Sequence, residues 1–159
     1  MGIVKGNPDG TFNPDAPITR AEFAAIAARF DDKNTDTSSK FTDIASHWAK
    51  NKIGIAANKG WINGYPDGTF RPEAPITRQE MATMLYRYWK LQGSKYTAKD
   101  DVLAGYQDRG EVADWALEAM SWTVQSGIIV GMTPTTLNPA DGATRAQVAL
   151  VLVNYLKLN

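Results

Sequence analysis

Three arginines stand in the same local setting. Thr19-Arg20, Thr77-Arg78 and Thr144-Arg145 each close a segment whose opening glycine lies 14 positions before the arginine. Three positions after each threonine comes Glu22, Glu80 or Gln147, the Thr-x-x-Glu/Gln signature of a capped helix start. A cation in the first helical position opposes the helix dipole by about 0.3–1 kcal/mol, and the chain accepts that placement three times. One reading is an anion site, with helix N–H groups and a guanidinium fork holding a carboxylate or phosphate on a sugar. The other is an internal salt bridge to Asp43, Asp108 or a loop carboxylate. Trp48 and Trp115 are read as core anchors between two helices, with a stacking face for a pyranose ring as the alternative. Asp43 and Asp108 are read as helix N-terminal caps, with acceptance of sugar hydroxyls as their second role. Arg71 replaces Asn13 and Asn138 of the other copies. It is read as a solvated loop charge, with a place at a ligand groove as its alternative.

Other chemistries find little support. Lys+Arg and Asp+Glu both number 17, so the net charge is zero and no basic excess recommends nucleic acid or an anionic membrane. The absence of Cys removes disulfides, thiolate metal sites and thiol nucleophiles. His47 is the only histidine and has no nucleophile or metal set in its neighbourhood. The pairs Asp31/Asp32 and Asp100/Asp101 fall in linkers, where rigid positioning of an acid and a base is not expected. Asn7-Pro8-Asp9-Gly10 and Asp67-Gly68 superficially suggest a calcium loop, but Pro66 and Phe70 sit where ligands would be needed. No enzyme activity and no cofactor are expected. No run approaches the roughly 18–20 apolar residues of a bilayer span. The N-terminus lacks a signal-peptide pattern, so a secreted parent would present this chain as a fragment or a mature form.

The elements that position these residues repeat. Residues 6–20 read GNPDGTFNPDAPITR, residues 64–78 GYPDGTFRPEAPITR and residues 131–145 GMTPTTLNPADGATR. Such self-similarity marks stacked supersecondary units. A second element precedes two of the copies, with Trp48 and Trp115 each 12 positions before Gly60 and Gly127. Apolar residues at helical spacing predict first helices over about 46–59 and 113–126, each ended by its glycine. Second helices start at the three threonines. Their stripes run Phe23, Ile26, Ala27, Phe30; Met81, Met84, Leu85, Tyr88; and Val148, Val151, Leu152, Tyr155. The expected fold is mainly α, with helix-loop-helix units over 1–30 (second half only), 41–91 and 106–159. Polar linkers are expected over 31–40 and 92–105.

The combination Phe41-x-Asp43, His47-Trp48-Ala49, Gly60-Trp61-Ile62-x-Gly64, Tyr65-Pro66-Asp67-Gly68-Thr69-Phe70 and Ile76-Thr77-Arg78-x-Glu80 resembles the S-layer homology family. The resemblance implies three repeats about a pseudo-threefold axis, with second helices at the centre. It also implies binding of secondary cell-wall polysaccharide, often pyruvylated, in grooves between repeats, and hence a bacterial cell-wall or S-layer location. The third copy departs by Gly131-Met132-Thr133-Pro134 and by Gln147, and the first lacks its Asp, its Trp and its first helix. The rival function is a protein–protein assembly module. Without its first helix, the first copy would leave Phe23, Ile26 and Phe30 bare and open to homo-oligomer contact.

Overall fold

The axis of the molecule is a ring of three backbone hydrogen bonds. Ile18 N–H donates to Ala143 O at 3.0 Å, Ala143 N–H to Ile76 O at 2.9 Å and Ile76 N–H to Ile18 O at 3.0 Å. These residues precede the three cap threonines, and all are buried. Apolar side chains here drive burial, and burial forces each peptide group to find a partner. Isolated bridges Pro17–Thr144, Thr19–Pro75 and Thr77–Gly142 surround the ring. The three copies therefore meet about a pseudo-threefold axis. The computed structural model describes residues 6, 9–29, 36–97, 99 and 101–158; Asn7, Pro8, Phe30, Asp31, Asp32 and Asp100 lie outside them.

Five α-helices follow in order: α1 Arg20–Ala27, α2 Lys50–Asn58, α3 Arg78–Leu91, α4 Leu117–Gln125 and α5 Arg145–Leu156. Short 3-10 turns occupy Arg109–Glu111 and Asp114–Ala116. α1, α3 and α5 each begin with a complete capping box, Thr19/Glu22, Thr77/Glu80 and Thr144/Gln147. Their stripes converge, and Phe23, Ile26, Met84, Leu85, Tyr88 and Leu152 surround one small central void. α2 packs on α1 and α4 packs on α3.

α2 and α4 end as expected. Gly60 and Gly127 have φ of 74° and 68°. The next residues, Trp61 and Ile128, donate to Ala56 O and Thr123 O at 3.0 and 2.9 Å. That is the Schellman pattern, with the residue after the glycine driven into the core. Both helices start later than the periodicity predicts. Before α2 the chain makes a turn in which His47 N–H donates to Ile44 O, and His47 Nδ1 accepts from Ala49 N–H at 3.1 Å. This local side-chain bond competes with helix formation. Before α4 the 3-10 turn takes the same place.

Two further expectations change. Phe23 and Ile26 are buried, facing Met84, Leu85 and Leu152 around the central void, while α2 of the next unit packs on α1. Of the bare stripe expected in the first copy, these two residues are therefore covered. The linkers also pack onto the units they join. Tyr96 donates to Gln125 Oε1 at 3.1 Å and Leu103 is buried, while Ser38 O accepts from Asn58 Nδ2 at 2.9 Å.

Candidate functional site

Each helix-start arginine reaches into the next unit around the ring. Arg20 Nε donates to Phe70 O at 2.9 Å and its Nη2 to Asn63 O at 3.3 Å. Arg78 Nε donates to Leu137 O at 2.8 Å and its Nη2 to Val130 O at 2.7 Å. Arg145 Nε donates to Phe12 O at 2.8 Å. Arg20 and Arg78 are each only 3% exposed. The helix N–H groups expected to meet an anion are also engaged. Those of Arg20, Arg78 and Arg145 donate to Ala74 O, Asp141 O and Ala16 O, each at 2.9 Å. Those of Ala21, Gln79 and Ala146 donate to Pro72 O, Pro139 O and Pro14 O. Loop carbonyls of the neighbouring unit thus supply the negative ends that the dipole of each helix start attracts.

The carboxylate partners differ from those expected. Arg20 pairs with Glu80 at 2.6 Å and Arg145 with Glu22 at 3.5 Å. The third position carries Gln147. Burial lowers the pKa of Arg78, and the nearby Asp141 and Asp108 partly restore it. Asp43 and Asp108 do not cap helices. Asp43 accepts from Phe70 N–H at 2.8 Å and Arg71 N–H at 2.7 Å. Asp108 accepts from Leu137 N–H at 2.9 Å and Asn138 N–H at 2.7 Å. Burial opposes ionisation of Asp108, but these two amides, with Arg78 behind them, hold its pKa below the usual carboxylate value. Each aspartate clasps the loop of its own unit.

Trp48 and Trp115 are 67% and 57% exposed, so neither is a core anchor. Both stand ahead of the helices that the periodicity assigned to them, and the short turns there swing their rings outward. His47 beside Trp48 is paired with Glu73 at 2.5 Å. Asp67 is spent on its own turn, where Thr69 Oγ1 and N–H donate to it at 2.6 and 2.9 Å and Arg71 at 3.1 Å. The Thr69 hydroxyl, the Thr69 amide and Arg71, in that order, bring its pKa down to about 2.

Trp115 lines a groove of ≈ 340 Å³. Arg20 at the start of α1, the Asn63–Pro66 loop and Glu80, Thr83, Met84 and Arg87 of α3 line the rest of it. Glu80 organises it. Its Oε1 accepts from Arg20 and from Tyr65 Oη at 2.9 Å, while its Oε2 accepts from Thr77 N–H at 2.9 Å. Tyr65 has a raised pKa, chiefly from burial, so it remains a donor. Both Arg20 and Arg71 lie over the Tyr65 ring, at 4.9 and 3.8 Å from its centre. Arg71 has φ of 56°, a left-handed conformation that Asn13 and Asn138 adopt at the equivalent turns.

Arg87 is the residue the sequence reading missed. It is half-buried, and desolvation lowers its pKa. No carboxylate pairs with it among the described residues; its Nη2 donates to Asn63 Oδ1 at 3.3 Å once the amide is turned to its bonded orientation. The repeat did carry a signal: Arg29 follows Arg20, and Arg87 follows Arg78, by nine positions each. The groove brings together Arg20, Trp115, Tyr65 and Arg87, with Arg71 at its edge. Arg78, Arg145, Asp43, Asp108 and Trp48 lie elsewhere on the ring. No cluster of acidic or histidine side chains among the described residues could hold a metal ion.

Comparison with known proteins places these features in a family. The S-layer homology domain matches residues 1–24, 40–82 and 98–149. A cellulosome-anchoring protein of Acetivibrio thermocellus is 47% identical over 93 residues, covering 55% of this chain and 21% of that protein. Cell surface glycoprotein 1 of the same organism is 38% identical over 132 residues, covering 74% of this chain and 6% of the glycoprotein. An amylopullulanase of Thermoanaerobacterium thermosulfurigenes is 31% identical over 158 residues, covering 98% of this chain and 8% of the enzyme. The chain thus spans about a fifth or less of these curated relatives.

Proposed function

The chain belongs to the S-layer homology family, and from that premise we propose that it is a non-covalent anchor that holds a surface protein on secondary cell-wall polysaccharide. The observation that carries this reading is Arg87. It is a partly desolvated cation without a carboxylate partner among the described residues, in a groove that an exposed indole also lines. A groove of that make suits a sugar bearing a carboxylate, such as a pyruvylated residue. Trp115 offers a face for the ring, and the anion meets the guanidinium. Arg71 and Tyr65 border the entrance. Trp48, which stands to α1 as Trp115 stands to α3, would serve a second groove near Arg145 and Glu22. Arg78, Asp43 and Asp108 would shape the loops that face the polymer.

The relatives fit an attachment role better than a chemical one, because proteins with names as different as a cellulosome-anchoring protein and an amylopullulanase share this segment. We assign the chain no catalytic step and place it at the bacterial cell wall. We divide it into a half-repeat over 1–30 and full repeats over 41–91 and 106–159. No helix among the described residues is long and apolar enough to cross a membrane. The test is co-sedimentation with cell-wall sacculi before and after removal of the secondary polymer. Binding should vanish on removal, and it should fall for Trp115→Ala and Arg87→Ala. Equal binding to stripped sacculi would overturn the reading.

A further inference from the structure

The loop that lines the groove opens with an asparagine followed by a glycine. Asn63-Gly64 is the one Asn-Gly pair in the chain; the glycines at the same place in the other units, Gly6 and Gly131, follow Lys5 and Val130. Packing dictates the glycine, since a Cβ at Gly64 would lie 2.3 Å from a Phe41 ring carbon and 2.5 Å from Thr69 O. The same lack of a Cβ leaves the Gly64 nitrogen open to the side-chain amide one residue earlier. Asn63 is exposed, and the Gly64 N–H donates to no acceptor among the described residues.

Two guanidiniums flank this peptide. Arg87 Nη2 donates to Asn63 Oδ1 at 3.3 Å in the bonded orientation of the amide, in which Nδ2 donates to Ile62 O at 3.0 Å. Arg20 Nη2 donates at 3.3 Å to Asn63 O, the carbonyl joined to the Gly64 nitrogen. The first cation sits where negative charge develops when a nucleophile adds to the side-chain carbonyl. The second draws electrons from the peptide group and makes its N–H more acidic. Both effects favour attack by the Gly64 nitrogen on Asn63 Cγ.

We propose that Asn63-Gly64 is a site of spontaneous modification, and that its carboxylate product pairs with Arg87 and closes the groove to an anionic sugar. The Gly64 nitrogen gives up its proton and bonds to Asn63 Cγ, the Cγ–Nδ2 bond breaks, and ammonia leaves with that proton. Water then opens the cyclic imide at one of its two carbonyls, leaving aspartate or isoaspartate at position 63. No oxidant or reductant is needed. An aspartate keeps an oxygen where Oδ1 now accepts from Arg87, and its charge holds the guanidinium more firmly than a neutral amide does. The isoaspartate adds a methylene to the main chain beside Gly64, where Phe41 and Thr69 leave little room for a shift. The loss of polymer binding rests on the reading of the groove as an anion site; the conversion and the pairing do not.

The test keeps the 159-residue chain in warm, mildly alkaline buffer and follows it by peptide mass mapping. Residue 63 should convert faster than Asn13, Asn51, Asn58, Asn138 or Asn154, and Arg87→Ala should slow that conversion. The converted form, separated by anion exchange, should bind sacculi at least about tenfold more weakly than fresh protein, the worth of one charge-assisted hydrogen bond. Asn63→Gln, whose longer side chain would have to close a six-membered ring, should lose none of its initial binding during the same incubation. Asn63→Asp should raise the melting temperature, and the gain should vanish in the Arg87→Ala background, a comparison that needs no polymer. Conversion at residue 63 no faster than at the other asparagines overturns the proposal, as does a melting temperature that Asn63→Asp leaves unchanged or raises without Arg87. Equal binding by converted and fresh protein overturns it too. Fresh protein that binds stripped sacculi equally well sinks the anchoring reading, while the mass and melting data still decide the modification.

Discussion

Arg20 and Glu80 open the second helices of adjacent units, and their side chains meet at 2.6 Å with Arg20 3% and Glu80 15% exposed. The carboxylate that completes one helix cap is thereby the counter-ion of its neighbour's first residue. Glu22 and Arg145 repeat the arrangement at 3.5 Å. The third junction has Gln147 instead, and there Arg78 rests on Leu137 O and Val130 O. Three arginines placed against their own helix dipoles therefore act as cross-links between units.

Glu80→Gln separates the two duties of that carboxylate. Gln147 shows that an amide completes the capping box, so α3 should still start at Arg78. Arg20 would lose its charge partner and Tyr65 a strong acceptor. The expected loss is about 1–3 kcal/mol, read as a lower midpoint in urea with an unchanged slope. An unchanged midpoint would mean that solvent in the groove replaces the pair.

Arg78→Ala and Arg87→Ala should fail in different ways. The first removes two charge-assisted bonds between units from a buried site, and should cost about 3 kcal/mol or more. The second removes a half-buried cation without a carboxylate partner among the described residues. It should leave thermal stability within about 0.5 kcal/mol and weaken binding of polymer at least about tenfold, the worth of one charge-assisted hydrogen bond. Calorimetry and sacculus binding on both variants check this. A stable Arg78→Ala variant that no longer binds would reverse the assignment.

The contrast shows what the chain makes legible. Thr-x-x-Glu caps, positive-φ glycines and apolar stripes are local, so α1, α3, α5 and the ends of α2 and α4 could be read from neighbouring residues. The arginine roles could not. Phe70, Leu137 and Phe12 lie 50, 59 and 133 positions from the arginines they accept from, and a backbone carbonyl has no sequence signature. The exposure of Trp48 and Trp115 was hidden for a related reason. Helical periodicity ran through both residues, whereas His47 binding Ala49 N–H and the 3-10 turn at Asp114–Ala116 delay the helices. The groove itself joins residues of all three units, a juxtaposition that no single repeat displays.

Gly64 lines that groove and packs closely behind it. A Cβ there would lie 2.3 Å from a ring carbon of Phe41 and 2.5 Å from Thr69 O. Neither neighbour can yield easily, since Phe41 is core and Thr69 O accepts from Tyr65 N–H at 2.8 Å. Gly64→Ala should therefore destabilise by about 1–3 kcal/mol, as overpacking does, and should displace Tyr65. Gly105→Ala, where an added Cβ meets nothing within 4 Å, should be neutral. A thermal melt of the pair with a binding assay tests this. Equal melting points would show that the loop shifts without cost.

Acid should release the loop clasp of the third unit. The folded pKa of Asp108 lies below its ordinary value of 3.8, because the Leu137 and Asn138 amides and Arg78 outweigh the effect of burial. A group depressed on folding contributes stability that is present above the unfolded pKa and lost as pH falls through the folded one. The Asp108 contribution should then be constant from pH 8 to about 5 and be lost as the pH falls below the ordinary carboxylate value and on through the lower folded one. Asp108→Asn keeps the shape but has one acceptor oxygen for the two loop amides. It should melt lower than the wild type at neutral pH, and the gap should close as the pH is taken down through 3. The measurement is melting temperature against pH for both proteins. A gap that stays constant to pH 2 would show that shape, not charge, makes Asp108 hold the loop.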